Sequence, residues 1–224
     1  RRRALTVGID YLAFPEGHGR LPSCISDSDT MVGIWKEVFH IEESEVRRLR
    51  DDRPDAMPTR ANILAGLAAL AKGALPGDEL FFHFSGHAGQ GEDAGGDVSA
   101  ARSGEAIVPC DFQDAGVVSG DEVYRQLMEG LPAGCRLWVL VDCFDGGSGL
   151  DLPYTVGLAP DGGALHCSRA PLPHGRSPIR ADVVALSGRS DGRVPAGAGP
   201  PPPPVGPVAE AFQHCVTATI TCEE

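Results

Sequence analysis

Two side chains that can perform nucleophilic chemistry lie at the ends of predicted strands. His87 ends the apolar run "DELFFHFSGH" (78–87), and Cys143 ends the run "CRLWVLVDC" (135–143). A histidine that takes the thiol proton of a cysteine forms a dyad that attacks carbonyl groups. A lone histidine at a strand end also fits a structural role, and His83, inside the run, is predicted to be a core histidine. The pair therefore suggests a cysteine-dependent hydrolase and leaves the structural alternative open.

Alternating strand and helix patterns must position these two residues. Such alternation is typical of an α/β protein with a mainly parallel central sheet and helices on both faces, a three-layer sandwich. In parallel sheets functional side chains collect beyond the carboxyl ends of the strands, where His87 and Cys143 stand. The predicted strands are 4–10, 45–52, 78–87, 135–143 and 181–190, with a further apolar run at 105–112, and the predicted helices are 26–40, 59–74, 119–131 and 208–220.

Polar residues mark where helices should begin. Thr59 is the predicted cap of the second helix, and Ser26, Asp27 and Ser28 are alternative caps of the first. Between about 145 and 180 Gly, Pro and Ser dominate and no periodic pattern appears, so we expect a loop there.

Composition disfavours several classes of protein. The 224 residues carry a formal net charge of -12, which would repel nucleic-acid phosphates. The seven cysteines are scattered without a CxxC pair, as expected in a reducing, cytoplasmic compartment. We expect no membrane span, because no run approaches the roughly 20 apolar residues that one needs. The chain opens directly in a predicted strand, so we also expect an N-terminal extension to be missing.

A glycine pattern after His87 satisfies a lax dinucleotide-binding motif. Gly89, Gly91 and Ala94 have the spacing GxGxxA, but no predicted helix follows them. Acidic residues in the same loop would repel a pyrophosphate, so nucleotide binding is not expected.

Four ordered motifs resemble those of the metacaspases, the caspase-fold cysteine peptidases of non-animal lineages, and in particular the type I group. "FHFSGHAGQ" resembles the family's histidine motif, and "LVDCFDGGSGLDLPYTV" its nucleophile segment. "LPSCISDSDTM" resembles the segment that opens the first helix, and "IVPCDF" the stretch after the family's linker. The resemblance covers nearly the whole chain and implies one caspase-like domain over 1–224. It divides this domain into a large-subunit-like part (1–150), an intersubunit-like loop (151–180) and a truncated small-subunit-like part (181–224).

The resemblance fails at the nucleophile. The family's nucleophile is the second residue after the motif aspartate, and counting from Asp142 that position is Phe144, which has no nucleophilic atom. Cys143 matches a position that is Cys or Ser in relatives and is not the nucleophile, whereas His87 matches the catalytic histidine. Because successive strand side chains point to opposite faces, we expect Cys143 to point away from Asp142 and Phe144. The departure predicts a protein that has lost proteolysis.

The residues of the family's substrate pocket, in contrast, are matched in this sequence, which predicts that the pocket is retained. Type I metacaspases cleave after Arg or Lys, and the residues that line their pocket match Cys24, Asp27, Ser85 and Asp142 here. Two carboxylates facing a guanidinium or ammonium group make charge-assisted hydrogen bonds. Asp27 alone would fit a helix cap and Asp142 alone a solvated strand end, so the prediction depends on the four positions together.

The resemblance also implies a calcium site, and this site is depleted. The matched positions are Gly104, Gly120, Asp121 and Asp151, so two carboxylates remain. Because Ca²⁺ takes about 6–8 oxygen ligands, we expect binding to be weak or absent.

The sequence therefore favours a metacaspase homologue that binds basic peptides, or a related metacaspase, without cutting them. A working endopeptidase remains the rival, with His87 as acid/base and Cys143 as a displaced nucleophile. A third hypothesis is a scaffold that is recognised through the proline run 200–204.

Overall fold

The computed structural model describes residues 1–90, 105–143, 150, 152–158, 165–169 and 176–187. Within these residues the strands are β1 (Arg2–Gly8), β2 (Val46–Arg50), β3 (Glu79–Gly86), β4 (Ala88–Gln90), β5 (Glu105–Ile107), β6 (Val118–Ser119), β7 (Arg136–Cys143), β8 (Tyr154–Leu158), β9 (Leu165–Arg169) and β10 (Asp182–Ser187). The helices are α1 (Cys24–Glu37), α2 (Arg60–Ala71), α3 (Phe112–Ala115) and α4 (Gly120–Val123), which continues as a π-helical turn over Tyr124–Met128. Short 3₁₀ turns span Glu43–Glu45 and Pro54–Ala56.

The main sheet has the strand order β10-β7-β3-β1-β2, and every pairing in it is parallel. The chain runs outward from β1 to β2 and then returns to the other side of β1 to form β3. This reversal creates a topological switch point between β1 and β3, where the carboxyl ends of two strands leave a crevice. The order therefore places the candidate site at the ends of β1 and β3.

Helices pack on both faces of this sheet, which confirms the predicted three-layer α/β sandwich. On one face α1 contributes Met31 and Trp35, which pack with Phe81 of β3 and Leu140 of β7. On the other face α2 and the π-helical turn pack over the alternate strand residues, in a larger cluster that includes Leu67, Phe82, Leu127 and Val139. The strands lack polar alternation because both of their faces are covered.

Two smaller sheets accompany the main one. β4, β5 and β6 form an antiparallel sheet, and β8 pairs with β9 in an antiparallel ribbon. The expectation of a loop from 145 to 180 is thus wrong over β8 and β9. Tyr154, Cys167 and Arg169 of this ribbon are exposed, so the apolar pattern of a buried strand is not required at these positions. The strand over 181–190 is confirmed as β10, while the helix over 208–220 lies outside the described residues.

The beginning of α1 differs from the prediction. Ser23 is the N-cap residue, and Asp27 lies inside the first turn, so the predicted caps at Ser26, Asp27 or Ser28 are wrong. The cap of α2 is confirmed, since the Thr59 side chain accepts a hydrogen bond from the Asn62 amide at 3.2 Å.

A close approach between β1 and α1 fixes the position of this first turn. A Cβ atom added to Gly8 would lie 2.4 Å from the Cys24 carbonyl oxygen and 3.0 Å from Cβ of Ser28. Only glycine fits at this contact, so the end of β1 sets where α1 presents Asp27. Among the described residues no helix has both the length and the apolar character that a membrane span requires.

Candidate functional site

The predicted pocket residues meet at the carboxyl ends of β3 and β7. Ser85 of β3 is the register partner of Asp142 of β7, and the Ser85 hydroxyl donates a hydrogen bond to Oδ2 of Asp27 at 2.8 Å. Asp27 is 1% exposed and Asp142 is 7% exposed. Two acidic side chains are therefore withdrawn from bulk water at one edge of the sheet, where a positive partner would interact strongly with them.

Cys24, the fourth pocket residue, begins α1 and is buried beside Ser85. Burial raises the pKa of its thiol well above the usual value, and the nearby charges of Asp10, Asp27 and Asp142 raise it further, against a hydrogen bond with Ser85 that lowers it. Cys24 is therefore a neutral thiol at physiological pH and lines the pocket as a small, weakly polar side chain.

His87 follows β3, and its ring contacts the loop between β1 and α1. Its Nε2 lies 2.8 Å from the carbonyl oxygen of Gly19, which can only accept a hydrogen bond. Nε2 therefore carries the proton in the neutral ring, and Nδ1 keeps its lone pair. This is the protonation state that a general base needs.

Tyr11 contacts both the backbone and the ring of His87. Its hydroxyl accepts a hydrogen bond from the His87 amide at 2.9 Å and donates one to the Val108 carbonyl at 2.7 Å. The two rings also pack against each other at a tilt of 41°, with centroids 4.6 Å apart. Tyr11 has a φ of 56°, an unfavourable conformation for a bulky residue, and such strain is concentrated at functional sites.

Cys143 lies on the other face of the sheet from Asp142. It ends β7, is 6% exposed, and belongs to the hydrophobic cluster that contains Phe84 and Val141. Its side chain is therefore buried on the face of the sheet that packs against α2 and the π-helical turn. Phe144 lies outside the described residues. The predicted core histidine His83 is confirmed, because it is fully buried and its Nδ1 hydrogen bonds to the Thr6 hydroxyl at 2.9 Å.

The predicted calcium ligand Asp121 is engaged by a guanidinium. Nε of Arg176 donates to Oδ1 of Asp121 at 2.8 Å, and Nη2 donates to the same oxygen. A positive charge at this carboxylate opposes a divalent cation, so Asp121 as placed does not fit a calcium ligand. Gly104 and Asp151 lie outside the described residues, and in the part that is described no three His, Cys, Asp or Glu side chains form a metal-binding group. Weak calcium binding stays a prediction.

Tyr11 and Gly19 were not identified from the sequence. Tyr11 lies three residues after the end of β1 in "GIDYL", so an aromatic residue just beyond the first strand of a predicted parallel sheet is a usable signal. Gly19 acts through its backbone carbonyl, 68 residues from its partner, and side-chain patterns carry no information about such a contact.

A parallel α/β sandwich with a histidine and a cysteine at the ends of adjacent strands is the architecture expected of a caspase-like protein. A family model for the metacaspase, peptidase C14 domain, matches residues 2–153. A Metacaspase-1 of Cryptococcus neoformans is 37% identical over 192 residues, which are 83% of this chain and 41% of that protein. A Metacaspase-1 of Coccidioides immitis is 41% identical over 156 residues, 69% of this chain and 33% of that protein. The chain therefore belongs to the metacaspase family of cysteine peptidases, and specifically to its type I group.

The chain spans between 33% and 41% of the length of these two relatives. Among solved structures, the crystal structure of protein GSU0716 from Geobacter sulfurreducens is 26% identical, with a TM-score of 0.49 over 64% of this chain and 50% of that one.

Proposed function

We propose that this chain binds peptides through an Arg or Lys side chain at the acidic pocket and does not cleave them. The observation that carries the proposal is the pair of buried carboxylates, Asp27 and Asp142, at the carboxyl edge of β3 and β7. A buried carboxylate is stabilised by a partner that supplies both positive charge and hydrogen-bond donors. A guanidinium or ammonium group on a flexible stem meets both needs.

The position that the family motif gives to the nucleophile supports the absence of cleavage. That position is Phe144 in this sequence, and phenylalanine has no nucleophilic atom. The preceding residue, Cys143, is buried on the face of the sheet opposite Asp142. The pocket and the chemistry are therefore separable in this chain, and the pocket is the part that remains.

Titration with labelled peptides tests the proposal. We expect an Arg-terminated peptide to bind at micromolar concentration, and a citrulline peptide of the same shape but no charge to bind at least about tenfold more weakly. Asp27→Asn and Asp142→Asn should each weaken the Arg peptide by a similar factor. Asp29→Asn is the matched control, because Asp29 lies on the same helix, pairs with Arg50 at the surface, and changes the net charge equally.

Mass spectrometry of the same mixtures, with and without calcium, tests for cleavage. Absence of binding of the Arg peptide at micromolar concentration would contradict the proposal. Cleavage after Arg that disappears in Cys143→Ala would replace it with the working endopeptidase. Binding of proline-rich ligands alone would favour the scaffold hypothesis.

A further inference from the structure

Arg176 occupies a site built from three residues, two on the helical segment that begins with α4 and one, Leu150, after β7. Its side chain is 8% exposed, and all three guanidinium nitrogens donate hydrogen bonds. Nε and Nη2 contact the Asp121 carboxylate, and Nη1 donates to the Leu150 carbonyl at 3.2 Å. The guanidinium carbon also lies 4.7 Å from the centre of the Tyr124 ring. The surrounding residues therefore match the three donor nitrogens of the guanidinium, its positive charge and its flat face.

The site is rigid because the helix that carries it is fixed at its start. Ser119 and Glu122 form a reciprocal capping box at the beginning of α4, two residues before and one residue after Asp121. Tyr124 is 1% exposed and begins the π-helical turn, so its ring is a fixed platform. A preformed site of this kind loses little entropy when it receives a ligand.

The next residue extends the same attachment. The Tyr124 hydroxyl donates to the Ser177 carbonyl, and the Ser177 hydroxyl donates to Glu129 at 3.2 Å. The chain then enters β10, whose first amide, that of Asp182, donates to the Cys135 carbonyl at 2.9 Å. The segment before β10 is therefore attached to the helix that precedes β7, and β7 carries the acidic pocket.

We propose that Asp121, Tyr124 and the Leu150 carbonyl form a guanidinium-binding cradle whose resident ligand is Arg176 of the same chain. The cradle takes a planar monovalent cation instead of calcium and anchors the segment that leads into β10, the edge strand of the main sheet. A guanidinium fits the paired donors and the aromatic face. A divalent ion would need several more oxygens than the carboxylate and carbonyl provide.

Chemical rescue of Arg176→Ala in the full chain tests the chemistry of the cradle. We expect this variant to melt about 4 °C lower than the unsubstituted protein. Millimolar methylguanidinium should restore most of the loss, while methylammonium and calcium chloride at the same concentration should not. Arg180→Ala is the matched control, because Arg180 is an exposed arginine of the same segment and should shift the melting temperature by less than about 1 °C. An unchanged melting temperature in Arg176→Ala, or equal rescue by calcium, overturns the proposal.

Two further measurements do not require rescue. Calorimetric titration with calcium should give the same result for the unsubstituted chain and for Asp121→Asn. A heat of calcium binding that disappears in Asp121→Asn overturns the proposal that Arg176 takes the place of calcium at Asp121. Hydrogen exchange of the β10 amides should accelerate about tenfold or more in Arg176→Ala. Unchanged exchange there overturns the anchoring role.

Discussion

Replacement of Gly8 by alanine tests the contact that positions the acidic pocket. The new methyl group would lie 2.4 Å from the Cys24 carbonyl oxygen and 3.0 Å from Cβ of Ser28. Both neighbours belong to the first turns of α1, which cannot move without displacing Asp27 from Ser85. Overpacking of this kind costs about 1–3 kcal/mol. For a chain of this length, that corresponds to a fall in melting temperature of roughly 2–12 °C.

The assay combines thermal unfolding with the Arg-peptide titration. Gly8→Ala should lower both the melting temperature and the peptide affinity, the latter by about tenfold, or ~1.4 kcal/mol. Gly33→Ala is the matched control, because Gly33 lies in α1 and no atom is within 4 Å of the added Cβ. This control should stabilise the protein by about 0.5–1 kcal/mol and leave the affinity unchanged. If Gly8→Ala retained both the melting temperature and the affinity of the parent protein, the close approach of β1 to α1 would not exist.

Two further predictions concern stability. Burial lowers the pKa of His83 to about 3, whereas the pKa of an unfolded histidine is 6.5. Below pH 6.5 the unfolded chain therefore binds a proton that the folded chain refuses, so this residue lowers the free energy of unfolding as pH falls toward 3, by up to ~1.4 kcal/mol per pH unit. Urea unfolding at several pH values should show a flatter profile for His83→Gln, and parallel profiles would contradict the assignment. Thr59→Ala removes the hydrogen bond to the Asn62 amide and should cost about 1 kcal/mol in urea unfolding at neutral pH, while an unchanged midpoint would argue against the cap.

The parts of the fold with strong local signals were predictable from the sequence. β3 and β7 are continuous apolar runs because both of their faces are buried, and α2 combines a capping threonine with residues of high helix propensity. The start of α1 was not predictable from the sequence, because several small polar residues between Ser23 and Ser28 are equally good helix caps. Its true position depends on contact with Gly8, 16 positions before Cys24 in the sequence, and a local pattern does not encode that contact.

The candidate site was predictable where it depends on side-chain identity. Motif positions alone identified Asp27, Ser85 and Asp142, and strand alternation predicted that Cys143 would lie on the opposite face. The attachment of His87 to Gly19 and the occupation of Asp121 by Arg176 were not predicted. Both are contacts between distant segments, 68 and 55 residues apart, and each depends on how a loop returns to the sheet.

The hydroxyl of Tyr11 has a consequence for how this protein can change over evolutionary time. Burial raises the pKa of the phenol far above neutrality, so the proton stays in place and the same oxygen both accepts from His87 and donates to Val108. One atom thereby links the segments that follow β1, β3 and β5. A phenylalanine at position 11 would keep the ring and release both segments together, leaving a buried amide and a buried carbonyl without that partner. The histidine and the loop around it are therefore expected to be inherited or lost as a unit.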